Sequence, residues 1–153
     1  MSPLKSWLLP AACLVALGTG CAHTIIDQPV HRAGDSWDFT LRKLTNGPNS
    51  YNTADVIYSP VKGERFIWAH ITLHNQQKAP RKFNFDRCEL DDGDQKILPS
   101  KVDIDAFIQG EANREPELAP DETITRKLIF AYPKNHSPTR LTCVPMVIPL
   151  PQF

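Results

Sequence analysis

The chain has 153 residues, with 17 basic and 17 acidic side chains and a formal net charge of zero at pH 7. This length suits one domain after a leader is subtracted, and the balanced charge, without a long run of either sign, argues against a nucleic-acid-binding surface. Fourteen prolines against seven glycines, with many β-branched and aromatic residues, argue against a helical bundle and favour short strands joined by loops.

Residues 1–20 have the features of a secretory signal peptide. Lys5 supplies a positive charge, and an apolar run of 11 residues follows from Trp7 to Leu17, interrupted by Pro10. A helix that spans a membrane needs about 20 apolar residues. The run is therefore too short to remain as an anchor, and it has the length of a signal-peptide hydrophobic region.

The four residues after this run resemble the lipobox of bacterial lipoproteins. The sequence Gly18-Thr19-Gly20-Cys21 places small residues before a cysteine, although Gly18 stands where the pattern usually has Leu. In lipoproteins the cysteine sulfur receives a diacylglycerol, and a dedicated peptidase then cuts just before it. The resemblance implies lipidation of Cys21 and binding to the membrane through that lipid. The alternative is an ordinary secretory leader in which Cys21 is incidental.

The residue after the cysteine indicates the location of the protein. In enteric-type bacteria, lipoproteins with Asp at this position stay in the inner membrane, whereas Ala22 stands here. This implies the outer membrane, and we expect the domain on its periplasmic side.

Two cysteines remain for the folded domain. Cys13 leaves with the leader and Cys21 takes the lipid, so Cys88 and Cys143 form an even pair in an oxidising compartment. We expect a disulfide between them. The alternative is two separate buried thiols.

Residues 21–36 lack sustained periodicity, which predicts a tether. Residues 37–153 are predicted to form a domain of short strands. The segment WDFTLRKL alternates as a half-buried strand, and TITRKLIFAYP and TRLTCV predict further strands. In KFNFDRCEL the apolar parity changes near Asp86, which predicts a bulge or a change of strand. The segment between Pro99 and Pro120 predicts mostly loop, and the proline-rich end permits at most a short edge strand.

The clearest strand is RFIWAHITLHN. Its core face is predicted to carry Ile67, Ala69, Ile71 and Leu73.

The opposite face of that strand contains the candidate partner-binding residues Phe66, Trp68 and His70. An outer sheet face rarely needs two neighbouring large aromatic rings, and Trp beside polar residues is typical of interface anchors. The alternative is that the segment between Pro99 and Pro120 folds back and covers the rings through one of its own apolar side chains: Ile104, Phe107 or Ile108.

The order of these elements resembles a known bacterial domain. The stretches KGERFIWAHITLHNQQKAPRKFNFDRCELDDGDQK and LAPDETITRKLIFAYPKNHSPTRLTC are similar to an immunoglobulin-like domain of unknown function in secreted and lipid-anchored proteins. A secreted mycobacterial immunogenic antigen is similar in fold. The family's L-x-P-G-E corner reads Leu118-Ala119-Pro120-Asp121-Glu122 here, with Asp in place of Gly. The resemblance covers about residues 37–144. It implies an all-β, antiparallel immunoglobulin-like β-sandwich of about seven strands, without catalytic residues to transfer.

The sequence offers weak candidates for metal chemistry. His70 and His74 lie four residues apart, which on a strand is about 13 Å, too far for one zinc ion that binds nitrogens at about 2 Å. Asp91, Asp92 and Asp94 do not have the spacing of a calcium loop, and we expect a solvated hairpin turn there. We therefore expect no metal, no cofactor and no enzymatic activity.

Together these features predict a lipid-anchored envelope protein that acts as a non-catalytic binding or accessory module for an unknown envelope protein. Two alternatives stay open: an envelope metal carrier or hydrolase, and a structural lipoprotein that maintains the envelope.

Replacing Cys21 with Ser should leave an unprocessed or soluble precursor, because no thiol remains to accept the lipid. Detergent-phase partitioning of the two proteins measures this. Equal partitioning of the Cys21→Ser variant and the wild type would refute lipidation.

Overall fold

The structure is a computed structural model, and it describes residues 22–53, 56–105 and 111–153. The predicted leader, Cys21, Phe107 and Ile108 lie outside the described residues. Within the described ranges, no helix is long and apolar enough to cross a bilayer.

A short 3-10 turn spans Phe85–Arg87. In chain order the strands are β1 (His23–Ile26), β2 (Val30–Ala33), β3 (Trp37–Asn46), β4 (Tyr51–Asn52), β5 (Ile57–Tyr58), β6 (Glu64–Asn75), β7 (Arg81–Lys82), β8 (Cys88–Asp91), β9 (Lys96–Ile97), β10 (Lys101–Ile104), β11 (Glu117–Leu118), β12 (Thr123–Pro133), β13 (Arg140–Cys143) and β14 (Met146–Pro149).

Two antiparallel sheets form the body of the domain. The six-stranded sheet has the order β1-β3-β6-β12-β10, with β2 also paired to β3, and the four-stranded sheet has the order β14-β13-β8-β9. Two further sheets have two strands each: β4 pairs with β5, and β7 pairs with β11. The prediction of an all-β antiparallel sandwich is confirmed, with more short strands than the sequence indicated.

Strand β6 is the centre of the six-stranded sheet. It pairs with β3 along one edge and with β12 along the other. Its inner face carries Ile67, Ala69, Ile71 and Leu73, none of which has exposed surface. These side chains join one core cluster with Leu90 and others from the four-stranded sheet. The alternation of RFIWAHITLHN therefore predicted the core face correctly.

The parity change near Asp86 marks a change of strand. The chain leaves β7, which pairs with β11, and passes through the 3-10 turn into β8 of the four-stranded sheet. The Asn84 side chain caps this turn by accepting a hydrogen bond from the Asp86 backbone N–H at 2.7 Å. One of the two predicted alternatives, the change of strand, is the one observed.

The prediction of a tether over residues 21–36 is wrong for most of that range. His23 in β1 lies opposite Asn46, and Val30 in β2 lies opposite Leu41, so both segments extend the six-stranded sheet beyond β3. Ile26 is buried in the core. The domain therefore includes His23. Both segments are ordered by pairing with β3, which β1 meets about 20 residues further along the chain and β2 within about ten.

The segment between Pro99 and Pro120, predicted to be mostly loop, also contributes strands. β10 forms the edge of the six-stranded sheet beside β12, and β11 pairs with β7. Lys101 and Asp103 in β10 are both buried. Strand prediction from alternation assumes that charged side chains face solvent, so it did not identify this strand. The predicted edge segment near the C-terminus is present as β14.

Cys88 and Cys143 form a disulfide, as predicted. The two residues lie opposite each other in the register of β8 and β13, and both are buried. The bond therefore joins neighbouring strands of one sheet, whereas the characteristic disulfide of antibody domains joins the two sheets.

A buried asparagine holds the end of β6 against the corner before β12. The Asn75 side-chain amide donates to the carbonyls of Leu118 and Ala119 at 3.1 and 3.0 Å. Asp121 in this corner has φ +62°, a left-handed conformation that Asp and Asn tolerate better than most residues do. The same geometry explains why the related corner pattern has Gly at this position.

The disulfide should stabilise the domain strongly, because it closes a loop with a sequence separation of 55 residues. The double variant Cys88→Ala/Cys143→Ala should lose about 4 kcal/mol of unfolding free energy in the chain-entropy model, measured by urea denaturation. Mass spectrometry of non-reduced native protein should find no thiol at either position. Two alkylatable thiols in protein isolated under oxidising conditions would contradict the bond.

Candidate functional site

The outer face of the six-stranded sheet is covered at one end by the hairpin of β4 and β5. Tyr51 from this hairpin packs on three side chains of the sheet, and the four residues form what we call the aromatic cluster: Tyr51, Phe66, Trp68 and Ile129. The Tyr51 ring centroid lies 5.2 Å from that of Phe66 and 6.2 Å from that of Trp68. These are normal distances for favourable aromatic pairs.

The cluster changes the interpretation of Phe66 and Trp68. Their exposed fractions are only 3% and 5%, and the Trp68 indole N–H donates to the Pro48 carbonyl at 3.0 Å. Neither ring is an exposed anchor, so the prediction of a partner that docks directly on them is corrected. The rings are covered, as the alternative expected, but among the described residues the ring that packs on them is Tyr51 and not an apolar side chain of the segment between Pro99 and Pro120.

Of the three side chains predicted to cover the rings, Ile104 is 42% exposed and does not join the cluster. Phe107 and Ile108 lie outside the described residues. Sequence analysis missed Tyr51 because its contact with β6 depends on how the intervening loop folds.

Two buried lysines border the aromatic cluster. The Lys127 ammonium lies 5.2 Å from the centre of the Trp68 ring, and the Lys101 ammonium lies 4.8 Å from that of Tyr51. Such cation–π contacts are stronger when the cation is shielded from water. Burial lowers the pKa of Lys127, and the nearby Asp103 carboxylate opposes this shift.

A small cavity opens beside Tyr51. Its volume is about 150 Å³, and it is lined by six residues: Tyr51, Thr53, Tyr58, Ser100, Lys101 and Glu111. The rings of Tyr51 and Tyr58 stack with centroids 4.9 Å apart. Sites for drug-sized ligands occupy about 300–1,000 Å³, so this cavity suits a single small polar group.

Lys101, which lines this cavity, forms an ion pair with Asp103, which is not among the lining residues. The Lys101 ammonium lies 3.2 Å from an Asp103 carboxylate oxygen. Within the described part of the chain, however, neither of these two atoms has a partner in hydrogen-bonding geometry. The ammonium has three N–H donors, and its contacts with Asp103 and the Tyr51 ring leave it able to donate to a further acceptor. An acceptor group that enters the cavity would supply such a hydrogen bond.

His70 lies on the same outer face but has its own partners. Its Nδ1 atom lies 3.2 Å from both carboxylate oxygens of Asp105, which also pairs with Arg42. Burial lowers the pKa of His70 to about 4, helped by the nearby charges of Lys127, Arg42 and Lys43. The ring is therefore neutral at pH 7. This third candidate partner-binding residue contacts β3 and the end of β10 rather than projecting freely.

His70 and His74 do not converge on one point. His74 contacts Asp121 at 3.0 Å and Asp38 at 3.5 Å, whereas His70 contacts Asp105. The hydrogen bond that His74 donates to the Asp121 carboxylate raises the pKa of His74.

The turn after β8 begins with a buried, hydrogen-bonded carboxylate, which a fully solvated hairpin turn would not have. Asp91 is buried and accepts two hydrogen bonds from the Arg140 guanidinium at 3.0 and 2.6 Å, so the expectation of full solvation is wrong for this residue. The hydrogen bonds from Arg140 lower the pKa of Asp91.

Asp92, Asp94 and His136 have one potential ligand atom each within 4.8 Å of one another, a grouping that the sequence did not reveal. The Asp92 carboxylate already accepts hydrogen bonds from the backbone N–H groups of Asp94 and Gln95, at 3.0 and 2.9 Å. It also contacts His136 Nδ1 at 2.8 Å. These contacts hold the turn and account for the proximity of the three residues.

Comparison with known proteins identifies the fold but no activity. The family model described as "Domain of unknown function (DUF4352)" matches residues 35–148. A functionally unknown protein from Listeria monocytogenes is similar, with a TM-score of 0.59 and 12% identity over 88% of this chain and 89% of that chain. A conserved hypothetical protein from Bacillus anthracis has a TM-score of 0.56 and 10% identity over 86% and 96% of the two chains. No curated protein matches this chain. At these identities the likeness concerns the fold alone.

Trp68→Ala should lose about 3–5 kcal/mol of unfolding free energy, as truncation of buried aromatic side chains does. The control is Ile57→Ala, at a side chain that is 71% exposed, which should change stability by less than about 0.5 kcal/mol. Chemical denaturation measures both. Equal, small effects would show that the ring is not covered.

Proposed function

Because the chain belongs to the DUF4352 family of domains of unknown function, we propose a function from its own residues: a lipid-anchored, non-catalytic binding module of the bacterial envelope. The lipobox-like sequence that ends at Cys21 supports the anchor. The cavity beside Tyr51 is the proposed binding site, and the unknown partner is another envelope component at the same membrane.

The Lys101 ammonium is the observation that carries this proposal. It lines the cavity, its residue is only 7% exposed, and its only polar contact among the described residues is the ion pair with Asp103 at 3.2 Å, which is not in hydrogen-bonding geometry. A carbonyl, hydroxyl or carboxylate oxygen of a partner would accept a hydrogen bond from it. Thr53, Glu111 and the Tyr58 ring at the rim would orient the group that enters.

The size of the cavity supports binding rather than catalysis. About 150 Å³ accommodates one side chain or headgroup-sized moiety, and larger substrates would lie mostly outside it. A binding module that recognises a protruding group of its partner needs no more space than this.

A metal carrier is the second candidate, favoured by the grouping of Asp92, Asp94 and His136. Elemental analysis of purified protein separates the two functions. The binding-module proposal expects less than one metal ion per ten chains, whereas a stoichiometric metal that is lost in Asp94→Ala would favour the carrier.

Site-specific photo-crosslinking in cells tests the proposed binding site. A crosslinker at Thr53 should give a discrete product, and Lys101→Met should abolish it, because Met keeps the length of the side chain but donates no hydrogen bond. The matched control is Lys82→Met, at an exposed position in β7, which should leave the product unchanged. Loss of the product with an unchanged melting temperature supports the proposal.

Persistence of the product in Lys101→Met would overturn the proposed site. A fall of the melting temperature by several degrees in Lys101→Met would also count against it, because the buried ammonium would then serve the fold.

A further inference from the structure

An exposed apolar segment follows β4. Eight large hydrophobic side chains are exposed in the described part of the chain, and four of them fall within six residues: Val56, Ile57, Tyr58 and Val61. Their exposed fractions are 47%, 71%, 43% and 66%. Scattered exposed apolar residues are normal, but such a concentration indicates a contact surface. We call residues 56–62 the apolar segment.

The apolar segment lies at the end of the six-stranded sheet where the described chain begins. His23 pairs with Asn46 at the end of β3, and a Cβ atom placed on the next residue, Gly47, would lie 3.6 Å from the Cα of Ala22. The Gly47 N–H donates to the Phe66 carbonyl near the start of β6. The apolar segment leads into that same start of β6 through Gly63.

Lipidation at Cys21 would bring this end of the domain to the bilayer. One residue spans at most about 3.6 Å, and Cys21 immediately precedes Ala22. Since β1 begins at His23, hardly any free chain separates the lipid-bearing residue from the sheet. The sheet end that carries the apolar segment must then lie close to the lipid headgroups.

We propose that the apolar segment is a second membrane contact, which inserts into the headgroup and acyl boundary of the bilayer that holds the lipid on Cys21. This inference rests on the proposed lipid anchor. It makes the membrane surface a binding partner of the folded domain itself, in addition to the acyl chains.

The composition of the segment fits this partner. Aliphatic side chains such as Val56, Ile57 and Val61 enter the apolar boundary, whereas Tyr is favoured at the level of the headgroups. Lys62 is exposed next to them, and exposed Lys134 is adjacent, because its N–H donates to the Gly63 carbonyl at 2.8 Å. Basic residues at a membrane surface attract anionic lipids.

Depth-dependent quenching tests the contact in mature, lipidated protein. Val56→Cys and Val147→Cys form a matched pair, because both valines are 47% exposed. Val147 follows Met146, whose sulfur lies 3.9 Å from a Cβ atom placed on Gly34, near the start of β3. It therefore lies at the opposite end of the domain. With Cys88 and Cys143 in a disulfide, each variant takes one NBD label.

The labelled proteins are reconstituted into vesicles of phosphatidylethanolamine and phosphatidylglycerol, with or without bromine on the acyl chains. We expect a blue shift and a large loss of NBD fluorescence in brominated vesicles for the label at position 56, and neither effect at position 147. Vesicle flotation is recorded for each sample.

The outcomes separate the two claims. If the protein floats with the vesicles but the label at position 56 behaves like that at 147, the second contact is refuted and the lipid anchor stands. If the protein isolated from the envelope does not float at all, the lipid anchor fails, and this inference fails with it.

Discussion

The inner face of β6 is buried along Ile67–Leu73, and its outer face is buried at Phe66 and Trp68. The inner face packs its aliphatic side chains against the four-stranded sheet, and the outer face places Phe66 and Trp68 beneath Tyr51. A strand with two apolar faces needs cover on both sides, because exposed aromatic rings on a sheet favour association. The hairpin of β4 and β5 supplies that cover near the start of β6. This requirement fixes the position of the hairpin, and therefore of the cavity and the apolar segment that the hairpin carries.

The local patterns of the sequence were sufficient for the centre of the fold. Alternation along β6 identified Ile67 and Ile71 as core residues, and the parity change located the irregularity near Asp86, although it left a bulge and a change of strand open. The pairing of Cys88 with Cys143 followed from counting cysteines. In each case the relevant signal lies within a few residues or in the number of cysteines, so no knowledge of distant contacts was needed.

The parts that were missed depend on pairing with other segments, most of them far along the chain. β1 and β2 are four residues each, too short to show periodicity, and they are ordered because β3 offers a free edge. β10 contains the buried charged residues Lys101 and Asp103. Charged side chains are usually exposed, so the sequence of this strand predicted a loop. The cover over Trp68 and the proximity of Asp92 to His136 arise only after the sheets assemble. The cavity combines several such contacts, which explains why the sequence indicated Trp68 but not the site beside it.

The absence of a long tether is the feature with the largest consequence for function. A flexible linker of 16 residues over 21–36 would let the domain rotate freely away from the bilayer. If Cys21 carries the proposed lipid, a chain that enters β1 at His23 would fix which end of the sandwich faces the bilayer. The proposed binding cavity and the apolar segment would then lie near the membrane, where we propose that a partner binds.

Hydrogen exchange of the folded protein tests this arrangement most directly. If β1 is part of the sheet, the backbone amides of 24–26 exchange at least about a hundredfold more slowly than unstructured amides, as expected for an opening free energy of about 2.7 kcal/mol or more. The exposed residues 78–79, whose backbone amides donate no hydrogen bond to the described residues, provide the comparison within the same protein. Exchange of 24–26 at the unprotected rate, with β3 and β6 still protected, would show that these residues form a tether and would contradict the account.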